Sequence, residues 1–122
     1  MTDHYFTDSP AATDAERRPL DVTLAGREVT VETAGGTFSP TGLDKATAIL
    51  LDTVPQPPSA ADLLDIGCGW GPIALTLALR APEATVWAVD VTERALDLTR
   101  RNATALGLTN VRTARPDEVP AN

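Results

Sequence analysis

At 122 residues the chain fits one domain of ordinary size, which excludes a two-domain enzyme, and 43% hydrophobic with 22% charged residues suits a globular core built mostly from aliphatic side chains. A formal charge of −7, from 17 acidic against 10 basic residues, has the wrong sign for a free-standing nucleic-acid-binding module. With Cys68 the single cysteine and His4 the single histidine, an intramolecular disulfide and a Cys/His zinc centre are both out of reach; the longest apolar run, residues 73–79, is far below the roughly 18–20 residues a bilayer span needs, so no metal, no membrane and a reducing cytoplasm are expected.

Residues 1–20 hold Asp3, Asp8, Asp14, Glu16, Pro10 and Pro19 around one aromatic patch, Tyr5-Phe6, and predict a loosely held, flexible arm. Residues 21–58 form the next unit. Val22-Thr23-Leu24 and Val29-Thr30-Val31 flank an Ala25-Gly26 turn and predict a hairpin. Leu43, Ala46, Ile49 and Leu50 then share one helical face, and Pro55, Pro57 and Pro58 end that short helix. The third unit, residues 59–122, is more regular. Residues 62–66 read as a buried strand that runs into Gly67-Cys68-Gly69-Trp70-Gly71, and Pro72 opens a helix ending near Arg80. Residues 85–89 predict a second strand, closing a βαβ unit at Asp90. Thr92 caps a second helix, with Glu93 in its positive first turn and Gly107 past its end; residues 111–114 predict a third strand.

In parallel sheets ligands bind at the carboxyl ends of the strands, and the glycine loop falls there. Gly67, Gly69 and Gly71 permit positive backbone angles and leave a surface free of side chains, so a ligand can reach the peptide groups. A dinucleotide wants G-x-G-x-x-G at a helix N-terminus, whereas this loop has Pro72 where the third glycine belongs. Asp65 at the strand end favours a ligand with a positively charged amino-acid moiety over bare phosphates. Asp90, 23 positions after Gly67, matches the spacing of about 20 at which a carboxylate accepts hydrogen bonds from a ribose diol. An adenosine-containing cation satisfies both carboxylates.

The stretch Leu64-Asp65-Ile66-Gly67-Cys68-Gly69-Trp70-Gly71-Pro72-Ile73-Ala74 resembles motif I of class I S-adenosylmethionine-dependent methyltransferases, with its D-x-G-x-G-x-G core matched in full. Gly36-Thr37-Phe38-Ser39, Leu43-Asp44 and Ile49-Leu50-Leu51 resemble the segment before motif I in the small-domain methyltransferases, and His4-Tyr5-Phe6 the start of their short members. The group is similar to the bacterial enzymes that methylate a guanine amine of 16S ribosomal RNA. The resemblance implies a Rossmann-like, doubly wound α/β methyltransferase sheet, of which about three of seven strands are present, with an N-terminal β-hairpin and helix. It implies S-adenosyl-L-methionine as cofactor, with Gly67, Cys68 and Gly69 along its methionine part, Asp65 answering its ammonium, Asp90 holding the ribose, Val91 packing on adenine, and Asp117 a candidate for the adenine amine. It implies ribosomal RNA as the substrate partner.

Amine methylation in such families uses an Asn/Asp-Pro-Pro motif after the fourth strand, which this sequence lacks, so no catalytic residue is assigned and the chain reads as a C-terminally truncated piece without turnover. Methylation of a protein or another nucleic-acid amine, a nicotinamide-dependent oxidoreductase and a non-catalytic adenosine-binding module stay open as alternatives. Trp70 is expected as an aromatic lid by the cofactor and Trp87 as core. Cys68 has no histidine to activate it as a nucleophile. Arg94, Arg100 and Arg101 read as a solvated helix face, with Arg112 and Arg115 beyond it.

Overall fold

The computed structural model describes residues 9–36 and 61–119; the helix expected over residues 45–51 lies outside them. Two strands, β1 (Arg18–Leu24) and β2 (Arg27–Thr33), form an antiparallel hairpin in which Leu20 faces Val31 and Val22 faces Val29. Ala25 at φ 50° and Gly26 at φ 79° make the two-residue turn, whose left-handed pair of angles matches the twist of the flanking strands. Both strands outrun the expected three-residue cores because pairing continues to Arg18 and Thr33.

The second unit alternates strand and helix: β3 (Asp62–Ile66), α1 (Pro72–Arg80), β4 (Thr85–Val89), α2 (Glu93–Ala105) and β5 (Val111–Ala114). The strands are parallel in the order β3-β4-β5, with Asp65 level with Ala88 and Ala88 level with Thr113. This is a partial Rossmann-like α/β arrangement of the kind the alternating pattern predicts, with both described helices on one face of the sheet and not on two as in a complete doubly wound fold. Thr92 caps α2 by accepting from the Ala95 amide, and Gly107 at φ 72° follows its end. Asn110 donates its amide protons to the carbonyls of Ala78, Ala81 and Ala84, closing the end of α1 and the turn after it.

Both helices lie between two β layers. Toward the sheet, Ala74, Ala78, Ala95 and Leu96 pack on Val86 and Ala88. Away from it, Trp70, Leu75, Leu98 and Ala103 form one core with Leu24 and Val31 of the hairpin. Trp70 is fully buried there, which overturns its expected role as a lid: the loop turns the indole into the helix–hairpin layer, where its large apolar surface is removed from water. Trp87 is half-buried rather than core, because it sits on the sheet face opposite the helices, level with Leu64, which is 55% exposed; Ile66 on that face is 75% exposed.

The expected loose arm also needs correction from Ser9 onward. Ala12 is buried in the hairpin core, the Ser9 carbonyl accepts from the Arg94 amide in the first turn of α2, and Arg94 donates to the carbonyls of Pro10 and Gly35 and to Glu16. An unpaired helix amide needs such an acceptor, and this segment supplies one. Arg94 is therefore an anchor and not part of a solvated face. Arg100 and Arg101 do lie exposed on α2, paired with Glu93 and Glu32. Residues 1–8 lie outside the described residues. No helix among the described residues is long and apolar enough to cross a membrane.

Candidate functional site

The site grows from the junction of β3 and α1. Amides of Gly67 and Cys68 both donate to the Val89 carbonyl, at 2.7 and 3.0 Å, so the loop leaves β3 already tied to the end of β4. Gly67, Gly69 and Gly71 take φ of 76°, 58° and 106°, the left-handed region the sequence anticipated. Gly71 has a further reason to lack a side chain: a Cβ there would sit 3.1 Å from the Thr99 hydroxyl and 3.2 Å from Leu75. At Gly67 a Cβ would meet nothing among the described residues within 4 Å, so that side of the Gly67 Cα is open.

Asp65 and Asp90 emerge on adjacent parallel strands at their carboxyl ends, close enough for the charge of Asp90 to act on Asp65. Asp65 is only 6% exposed. Burial pushes its carboxyl up to about 6, an N–H from Ala74 pulls the other way, and Asp90 pushes it up further. Its Oδ2 is buried and has no hydrogen-bond partner among the described residues. An orphaned buried carboxylate oxygen costs free energy unless a donor reaches it.

Asp90 is held from two sides. Its Oδ1 accepts from the Thr92 amide at 3.1 Å and the Thr92 hydroxyl at 3.3 Å, while Oδ2 accepts from the Gly69 amide at 3.3 Å. A carboxylate has about four lone-pair sites, and with three engaged about one stays open to a ligand hydroxyl. Val91 follows with its apolar side chain 44% exposed, and its carbonyl accepts from Arg115 at 2.7 Å. Cys68 is buried; burial pushes its thiol up to about 12, so it stays protonated and is no nucleophile at neutral pH. The structure thus brings Asp65, Gly67, Cys68, Gly69, Asp90 and Val91 to one end of the sheet. Asp117 is exposed in the 3₁₀ turn Pro116–Glu118, which follows the carboxyl end of β5.

Two residues behind the loop escaped the sequence reading. Thr99 donates to the Gly69 carbonyl at 3.0 Å and Asn102 to the Trp70 carbonyl at 2.9 Å. Their signal was present: polar residues three apart inside an amphipathic helix, on the side that also carries Leu98.

Comparison with known proteins follows the same lines. A family model described as the methyltransferase small domain matches residues 28–120. The uncharacterized protein YbxB of Bacillus subtilis is 32% identical over 117 residues, which cover 96% of this chain and 58% of that protein. The release factor glutamine methyltransferase of Chlorobaculum tepidum is 42% identical over 81 residues, 66% of this chain and 26% of that protein. The ribosomal RNA small subunit methyltransferase C of Klebsiella pneumoniae is 36% identical over 80 residues, 66% of this chain and 23% of that protein. Among solved structures, the 16S rRNA N2 G1207 methyltransferase (RsmC) of T. thermophilus, in complex with AdoMet and guanosine, shares the fold at a TM-score of 0.69 and 24% identity, over 80% of this chain and 26% of that one. The chain therefore spans 58% of the length of the Bacillus protein and about a quarter of the other relatives.

Proposed function

The chain belongs to the methyltransferase small-domain family, and from that premise we propose that it binds S-adenosyl-L-methionine at the ends of β3 and β4, as the cofactor half of an enzyme that methylates a guanine amine in ribosomal RNA. One observation supports the cofactor reading: the buried Oδ2 of Asp65, without a partner among the described residues, beside a second carboxylate, a pairing that favours a cation with hydrogen-bond donors. Asp65 takes the ammonium, Gly67, Cys68 and Gly69 line the methionine portion, Asp90 accepts from the ribose hydroxyls, and Val91 offers an apolar surface to adenine. When bound, S-adenosylmethionine supplies an electrophilic methyl group on a sulfonium. The chain's own part is positioning: Thr92 and Gly69 fix the Asp90 carboxylate before a ligand arrives, so little ordering remains to be done on binding.

The RNA substrate rests on the likeness to the RsmC enzymes. The 42% identity to the release factor enzyme favours a second reading, methylation of a protein glutamine amide. In both readings an acceptor nitrogen must be gripped by an Asn-Pro-Pro type motif, and none occurs in this sequence. The 122 residues by themselves are therefore expected to bind the cofactor weakly and not to turn over; methylation of ribosomal RNA by this stretch alone refutes that.

Titration with S-adenosylhomocysteine and, separately, NAD tests the cofactor. Saturable binding of the first and none of the second is expected, with Asp90→Ala lowering the affinity about tenfold through loss of the carboxylate that accepts from the ligand and holds the Gly69 amide. Tighter binding of NAD, or an Asp90→Ala protein that binds like the parent, overturns the assignment.

A further inference from the structure

Asn102 lies in the last turn of α2 and is 1% exposed, in a helix to whose formation asparagine contributes poorly. Its side chain is fully engaged with the backbones of two distant segments. Oδ1 accepts from the Glu32 amide at 2.7 Å, and Nδ2 donates to the Glu32 carbonyl at 3.0 Å and to the Trp70 carbonyl at 2.9 Å. Glu32 belongs to hairpin strand β2, and Trp70 to the glycine loop. One turn earlier, the Thr99 hydroxyl holds the neighbouring loop carbonyl, Gly69, at 3.0 Å.

Two consecutive loop carbonyls are thus held toward α2. A trans peptide points its N–H opposite to its C=O, so fixing the Gly69 carbonyl turns the Trp70 amide away from α2. The loop contains three residues with positive φ, whose permissive glycines impose no such orientation by themselves. Something outside the loop must select one peptide arrangement. The hydrogen bonds from α2 do so, and they hold the Gly69 residue whose amide meets Asp90.

Building on the cofactor reading above, we infer that Asn102 and Thr99 are positioning residues that set the geometry of the cofactor loop, and that Asn102 makes that geometry depend on the docked hairpin. Neither touches the ligand. Asn102 clamps β2 and the loop with one amide group, so displacing the hairpin removes two of its three bonds and frees the third to wander. Cofactor affinity is then a property of the β2–α2 contact as well as of the loop.

The test measures the dissociation constant of S-adenosylhomocysteine for the 122-residue chain, well below each variant's Tm. Thr99→Val keeps the shape and removes the hydroxyl; Thr99→Ser restores it. The valine variant is expected to bind about three- to tenfold more weakly, with serine near the parent. Asn102→Ala is expected to lose about tenfold or more, and its amide exchange to rise at both β2 and the loop. Val86→Ala serves as the comparison: it is buried near the amino end of β4, level with Leu63 and Val111, and is expected to lower Tm without moving affinity. Parental affinity in Thr99→Val and Asn102→Ala, while Asp90→Ala weakens binding, overturns the positioning role and leaves the cofactor reading standing. Equal weakening by Val86→Ala and Thr99→Val also overturns it, because general loosening then accounts for both. Absence of binding by the parent chain overturns both readings. If Asn102→Ala does not fold, the Thr99 pair alone decides.

Discussion

The two sides of the helix layer obey opposite rules. Between helices and hairpin, the charged and amide side chains find partners: Asn102 satisfies three backbone groups, Arg101 pairs with Glu32 at 2.7 Å, and Arg94 gathers two carbonyls and a carboxylate, while the Trp70 indole N–H is buried with no partner among the described residues. At the strand ends, Asp65 is buried with one oxygen unmatched and a second negative charge nearby. The first region adds to the stability of the fold. The second subtracts from it, and a charged group retained at such a cost is a candidate for binding.

The contrast can be broken most severely at Trp70. Trp70→Ala removes the largest fully buried side chain from the helix–hairpin core and is expected to cost about 3–5 kcal/mol, read by urea denaturation. A cost below about 1 kcal/mol contradicts its place in the core.

Asp65 gives the sharper test, because its expected sign is unusual. Its carboxyl moves from an ordinary 3.8 up to about 6 in the fold, so the folded state holds the proton more tightly than the unfolded one. Stability from this group is full below about pH 4 and lost as the pH rises through about 6. Asp65→Asn keeps an acceptor for Ala74 and removes the charge. Without ligand it should exceed the parent by up to about 3 kcal/mol at pH 8, an advantage that disappears near pH 4. The same variant should bind S-adenosylhomocysteine more weakly. Gain and loss together identify a carboxylate kept for its ligand; a variant destabilised at pH 8 contradicts the assignment.

The smallest effect is expected on the outer face of α2. Arg100 meets Glu93 at 3.2 Å with both side chains roughly half exposed, and Arg100→Ala should change stability by less than about 1 kcal/mol, less still in high salt. A larger change means that the Thr113 hydrogen bond of Arg100, at 2.9 Å, ties α2 to β5 more firmly than the ion pair does.

Most of the alternating strand–helix pattern was legible before any coordinates. Pro72, Thr92 and Gly107 act within their own turns, and the glycines at 67, 69 and 71 adopt the positive angles expected of them. The hairpin turn at Ala25-Gly26 was equally local, although its strands run further than their apolar cores suggested. Asp65 and Asp90 were legible as candidates from spacing. That they share one end of the sheet follows from parallel pairing of β3 and β4, which spacing alone does not supply.

Other features depended on partners far along the chain. Trp70 reads locally as part of an exposed loop, yet Leu24, Val31 and Leu98 enclose it. Residues 9–17 are polar enough to look detached, yet Arg94, some eighty positions on, receives them. Asn102 looks like an ordinary helix-surface residue until β2 and the glycine loop are placed on either side of it. Backbone angles, caps and strand propensity arise from neighbours within a turn or two, so the amino-acid order suffices for them. Burial, and the unmatched oxygen of Asp65, come from segments meeting across the fold, and only the packed arrangement determines which polar group is left without a partner.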